Sequence, residues 1–133
     1  MIQDALRTYL LADTTLSSRV GGRLYPNERA PQGSVYPQIT YHRVARGHGH
    51  HLTGANGLKS PLFQFDIFTE RYTEAQDVVN ALVARIDGKR ETMTGVEVLG
   101  CFVQDDFDTV EQPDIGDETT LHWVPVTVLV WHR

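Results

Sequence analysis

Three histidines, His48, His50 and His51, fall within four consecutive residues. Imidazole is the commonest protein ligand for zinc, copper and nickel, so the cluster raises the question of metal chemistry. A metal site also needs its donors held at converging positions. These lie among the glycines of Arg46-Gly47-His48-Gly49-His50-His51-Leu52-Thr53-Gly54-Ala55-Asn56-Gly57, a composition that favours an exposed or interface loop over a native site. Convergence of copies around a ring would be one way to gather enough ligands, and stoichiometric metal in untagged protein would reveal it. No cofactor is expected otherwise.

The glycines also suggest phosphate binding. Gly54-Ala55-Asn56-Gly57-Leu58-Lys59-Ser60 lacks the G-x-x-x-x-G-K-[ST] spacing, and it leads into a strand pattern, not into the helix N-terminus that would hold a phosphate. Seven carboxylates, Asp105, Asp106, Asp108, Glu111, Asp114, Asp117 and Glu118, crowd into residues 105–118 without a Lys or Arg. Acid–base catalysis needs a desolvated, shifted carboxyl, and the calcium-loop pattern is absent, so a solvated acidic loop is expected. The single cysteine, Cys101, can form no internal disulfide, and its apolar neighbours mark it as a small buried hydrophobe. No G-x-S-x-G or H-E-x-x-H signature occurs, and the chain reads as a non-enzyme.

The framework for these residues is small. At 133 residues, with 41% hydrophobic and 22% charged side chains, one globular domain over residues 1–133 is expected. No apolar run approaches the roughly 20 residues of a membrane span, and no secretory signal pattern opens the sequence, so a cytoplasmic chain without membrane contact is expected. The net charge of −5 argues against tight nucleic-acid binding. That charge is polarised: residues 1–90 hold eleven Lys/Arg against eight Asp/Glu, and residues 91–133 hold one against nine.

Apolar spacing predicts an amphipathic helix over 2–12, and Asp13 is a candidate N-cap for a short helix that Gly21-Gly22 ends. Residues 26–37 read as a proline-containing surface loop. Alternation predicts a half-buried strand over 38–44, with Ile39 and Tyr41 inward, and a second over 62–68, with Phe63, Phe65 and Ile67 inward. The two should pair as a hairpin with a long protruding loop, 46–60. Thr73-Glu74-Ala75-Gln76 reads as a capping box opening a helix over 73–87, which Gly88 stops. A strand near 95–104, the acidic loop and a last strand over 121–131 follow; Pro125 should put that strand at a bulge or a sheet edge. The expected fold is α+β: a mainly antiparallel sheet of about four strands, with an N-terminal helix and one long amphipathic helix packed on one face. Leu52, Phe68, Trp123, Val124 and Trp131 look exposed, either as part of a larger core or as a protein interface.

Several segments in order resemble the tail-completion family of long-tailed phages, prophages and gene transfer agents, also called tail-to-head joining or minor tail proteins. They are Gly22-Arg23-Leu24-Tyr25-Pro26, Tyr36-Pro37-Gln38-Ile39-Thr40-Tyr41, Leu52-Thr53-Gly54, Phe65-Asp66-Ile67-Phe68, Tyr72-Thr73-Glu74-Ala75 and Val128-Leu129-Val130-Trp131. The resemblance implies a structural virion protein, assembled in the host cytoplasm, whose copies, six in number, form a ring at the head-proximal end of the tail. The partners it implies are the tail tube protein and the head connector or stopper protein, with DNA passing through the channel without specific binding. A closed ring needs a heterologous interface, one patch meeting a different patch on the neighbour. Arg43, Arg46 and Lys59 against Asp105, Asp106 and Asp108 would supply one, with His48, His50, His51, Leu52, Thr53 and Trp131 as further contacts. Alternatively the acidic loop lines the channel, where like charge lets DNA slide. The rival readings are a head-side connector or stopper, and a small metal- or ligand-binding module built on the histidines.

Overall fold

The computed structural model describes residues 2–26, 35–46, 48–51, 54–106, 108–111 and 121–133; of 48–51, 54–57, 109–111 and 121 it describes the backbone. Ile2, Ala5, Leu6 and Leu10 recur at the spacing of one helix face and form the buried side of α1 (Ile2–Leu11). Asp13 caps α2 (Thr14–Val20), its carboxylate accepting the Leu16 N–H at 3.1 Å, and Gly21, at φ +58°, ends the helix in the left-handed conformation. In α3 (Tyr72–Ile86) the stripe Ala75, Val78, Val79, Leu82 and Ile86 is buried.

The capping box does not form. The N-cap of α3 is Arg71, with no side-chain cap bond, and the Gln76 amide donates instead to Asp108 at 2.8 Å. A tertiary acceptor, also bound by the Tyr72 hydroxyl at 3.1 Å, takes over the role that the local pattern assigned within the helix.

Among the described residues the sheet has nine strands where about four were expected. They are β1 (Leu24–Pro26), β2 (Gln38–Ala45), β3 (His48–His51), β4 (Gly54–Lys59), β5 (Leu62–Thr69), β6 (Glu91–Met93), β7 (Val96–Asp106), β8 (Thr109–Glu111) and β9 (Leu121–His132). Every pairing is antiparallel except β1 with β2. β1 and β6, three residues each, are too short to announce themselves by alternation. Arg7 helps hold β1, its Nε donating to the Leu24 carbonyl at 3.0 Å. A two-residue turn joins β6 to β7, with Thr94 at φ +45° and Gly95 at φ +82°, the pair of positive φ angles that a type I′ hairpin requires.

In the protruding segment between β2 and β5, residues 48–51 and 54–59 are paired strand where a loop was expected. β3 pairs with β4, and Lys59 pairs with His132 of β9 in the register that Leu62 and Leu129 continue, so the β2–β5 hairpin extends beyond the sheet as a narrower ribbon. Glycine and histidine give no alternation of polarity, and the strand state comes from the hairpin register carrying on. The acidic stretch is likewise part strand: Asp105 and Asp106 end β7, and 109–111 form β8.

β9 is paired along both edges, to β5 on one side and to β7 and β8 on the other. Pro125 pairs with Asp66 on the β5 side and stands at a local break in the pairing on the other side. It lies between the pairs Asp106–Val126 and Thr109–Trp123, where β7 has ended and β8 has not begun, so no ladder donor is needed on that side. The inner face, with Phe63, Phe65, Ile67, Val124, Val126, Val128 and Val130, joins the helices in one core, and Val124, 2% exposed, belongs there and not to an exposed surface. Cys101 is buried in the same core, opposite Val130. Tyr41 and Phe65 stack across β2 and β5 at 5.7 Å. The outer face of β2 is also covered, with Gln38 and Thr40 at 5% and 3% exposed, so this strand is not half-buried as its alternation suggested. Among the described residues no helix is long and apolar enough to cross a membrane.

Burial pushes the Tyr9 phenol, which also interacts with Glu91, and the Cys101 thiol each up to about 12. The folded chain thus keeps protons that the unfolded chain releases from about pH 9 to 10 upward. The stabilisation is complete below pH 9 and is lost as pH rises toward 12. Urea unfolding between pH 8 and pH 11 should show a midpoint falling progressively above pH 9, and Cys101→Ala should delay that fall toward pH 10.

Candidate functional site

The cationic residues singled out by sequence do come together. Arg43 near the end of β2, Arg46 just beyond it and Lys59 at the end of β4 line one cleft of about 420 Å³. The chain adds two residues that sequence reasoning missed, His132 and Arg133 at the end of β9. They carried no signal because the cleft is assembled from the ends of separate elements, and only the Lys59–His132 pairing brings them beside the predicted set. Its floor is apolar, with Ile2 and Pro61 buried and Val96 half-buried against the core. Burial holds the His132 imidazole below its ordinary range; the Arg133 carbonyl opposes this, and the charges of Lys59 and Arg43 add to it. His132 is therefore a neutral wall of a site that already holds four cations. The Gln3 side-chain oxygen, at the same cleft, is buried without a hydrogen-bond partner. A second groove of about 500 Å³ shares Gln3, Arg43 and Arg46 and runs on past Tyr41 to Pro26, and Asp4 is the one carboxylate among the residues lining either cleft.

The acidic residues lie elsewhere. Asp105 and Asp106 are exposed and pair with Thr127 and Val126, roughly 20 Å along β9 from His132. Asp108 is engaged by Tyr72 and Gln76 at the start of α3, and its carboxylate raises the pKa of the Tyr72 phenol. The two charged groups are thus separate: the cations gather at the His132 end of β9, and Asp105 and Asp106 stand beside its middle. His48, His50 and His51 share β3, with backbone partners Lys59, Ala55 and Gly54. Their side chains, and Leu52 and Thr53, lie outside the described residues. Among the described residues no group of three His, Cys, Asp or Glu side chains is placed to hold a metal.

The outer face of the sheet holds a second constellation. Asp66, 2% exposed, accepts the Gln64 amide at 2.7 Å and the Trp123 indole N–H at 2.9 Å, both on Oδ1. The His42 Nδ1 stands 3.9 Å from Oδ2. Trp123 stacks on Phe68 with ring centroids 6.2 Å apart, so these two aromatics pack against each other. Trp131 is half-buried on the same face opposite Gly100, where an added Cβ would meet the Phe102 ring at 2.8 Å. A carboxylate bound by two neutral donors fixes an indole across β5 and β9.

Both constellations fit a class of protein that works by presenting surfaces to other chains. The match to known sequences is specific: residues 4–133 match the family of the tail completion protein gp17, and the chain belongs to that family. It is thus a structural protein of the virion tail. Comparison with curated proteins finds no match. Among solved structures, a chain from the virion of a native gene transfer agent particle is similar at TM-score 0.71 and 14% identity, over 98% of this chain and 96% of that one. Another is similar at TM-score 0.58 and 13% identity, over 98% and 95%. At these identities the likeness is one of fold.

Asp66→Leu removes the buried carboxylate that accepts from the Trp123 indole and the Gln64 amide. It should cost about 1–3 kcal/mol in urea unfolding and shift the tryptophan emission, whereas Asp77→Leu, which breaks only an exposed pair with Arg19, should cost less than about 1 kcal/mol.

Proposed function

We propose that the chain is a tail terminator: copies of it, six in the complete assembly, close into a ring on the head-proximal end of the tail tube, stop its growth and join it to the head connector. The observation that carries this reading is the family match over residues 4–133. The separation of charge supports the ring. A ring is closed by heterologous contacts, which need two different and complementary patches, and the cationic cleft at the His132 end of β9 is separate from Asp105 and Asp106, which lie beside the middle of that strand. The fold likeness to a chain of a gene transfer agent virion supports a particle of that kind. A net charge of −5 suits a channel through which DNA passes without being held. The work is structural, done by docking to tail tube and connector without catalysis.

Negative-stain electron microscopy of particles made after deleting the gene tests this. Full heads beside unattached tails of abnormal length are expected. Unattached tails of normal length would favour the rival, a head-side stopper, and normally joined particles would remove the chain from the joint altogether.

A further inference from the structure

The cleft between Arg43, Arg46, Lys59 and Arg133 is more than a positive patch. Among the described residues none of these four side chains has an ion-pair partner. Their charges stand around an apolar floor made by Ile2, Pro61 and Val96. A site built this way suits a short peptide that offers an aliphatic side chain flanked by carboxylates. It is poorly suited to a nucleic-acid backbone, which offers no aliphatic group to the floor. The buried Gln3 Oε1, without a partner among the described residues, would in addition accept a peptide N–H.

This chain carries such a peptide in its own sequence. Pro113-Asp114-Ile115-Gly116-Asp117-Glu118 places one isoleucine between three carboxylates, with no Lys or Arg. It cannot serve its own cleft. Glu111 and Leu121 are backbone partners, so the nine residues between them reach at most roughly 17 Å from that end of β9. The cleft is at the other end, roughly 36 Å away along the twelve residues of the strand. A second copy must supply the peptide.

Resting on the ring reading above, we propose that the cleft of each subunit receives residues 113–118 of the next, with Ile115 on the apolar floor and Asp114, Asp117 and Glu118 against the four cations. The contact is head-to-tail, so it propagates around the ring and ends only by closure. Being carried by rim charges, it weakens with rising salt.

The test is a charge swap on the full-length chain. One variant carries Arg43→Glu, Arg46→Glu and Lys59→Glu, the other Asp114→Arg, Asp117→Arg and Glu118→Arg; both are checked for folding by circular dichroism and thermal melting. Assembly is followed by sedimentation velocity and by capping of isolated tail tubes. Each variant alone should assemble at least about tenfold more weakly than the parent chain, and an equimolar mixture, in which every contact again pairs opposite charges, should recover assembly. A third chain with Lys59→Cys and Ile115→Cys should give a ladder of disulfide-linked multiples under mild oxidation. If a swapped variant misfolds, Arg46→Ala and Ile115→Ser provide milder versions of the same two arms. Variants that assemble like the parent, a mixture no better than its parts, or rings without the ladder would overturn the contact and leave the ring reading standing. A parent chain that neither self-associates nor caps tail tubes would overturn both.

Discussion

β9 is paired along both of its edges, and the rest of the molecule depends on that double pairing. Its inward residues Val124, Val126, Val128 and Val130 are each at most 2% exposed and form the centre of the core. On one flank it holds β5, and through β5 it holds β2 and β1; on the other it holds β7 and β8, and through β7 it holds β6. The helices contribute the other wall: α3 packs on the inner face, and α1 is fastened to it where Arg85 lies over the Tyr9 ring at 3.6 Å and donates to the Tyr9 carbonyl at 2.8 Å. A proline in such a strand is tolerated only because it falls in the gap between β7 and β8.

The same strand also sets the polarity of the surface. Because β9 runs twelve residues and its pairing with β4 and β5 keeps one register, whatever gathers at His132 is separated from whatever gathers at Leu121 by the length of the strand. The sequence is already divided in charge, and the topology turns this division along the chain into a division in space. Arg43, Arg46 and Lys59 gather at the His132 end on the long hairpin, and β7 brings Asp105 and Asp106 beside the middle of β9. A subunit with two unlike patches suits repeated head-to-tail contact.

Elements whose signals are local were legible in the sequence. The apolar stripes of α1 and α3, the Asp13 cap and the inward residues of β2 and β5 follow from spacing alone. What escaped was set by distant partners. β1 and β6 are three residues each, β3 and β4 have no alternation to read, and the acceptor that captures Gln76 lies 32 residues along the chain. For the same reason half of the cleft was visible. Three cations near one hairpin could be grouped by eye, whereas Arg133 joins them only through the Lys59–His132 pairing. The burial of Gln38 and Thr40 was likewise invisible, since alternation shows which face a residue takes and not what covers that face.

The central claim is that this fold forms the closing ring between tail tube and head. Averaged cryo-electron microscopy of the head–tail joint in intact particles tests it most directly. The account predicts a ring of α+β subunits at the head-proximal end of the tube, into which this chain fits with β9 running from one subunit contact to the other. A joint in which the tube meets the connector with no density of this fold between them would contradict it.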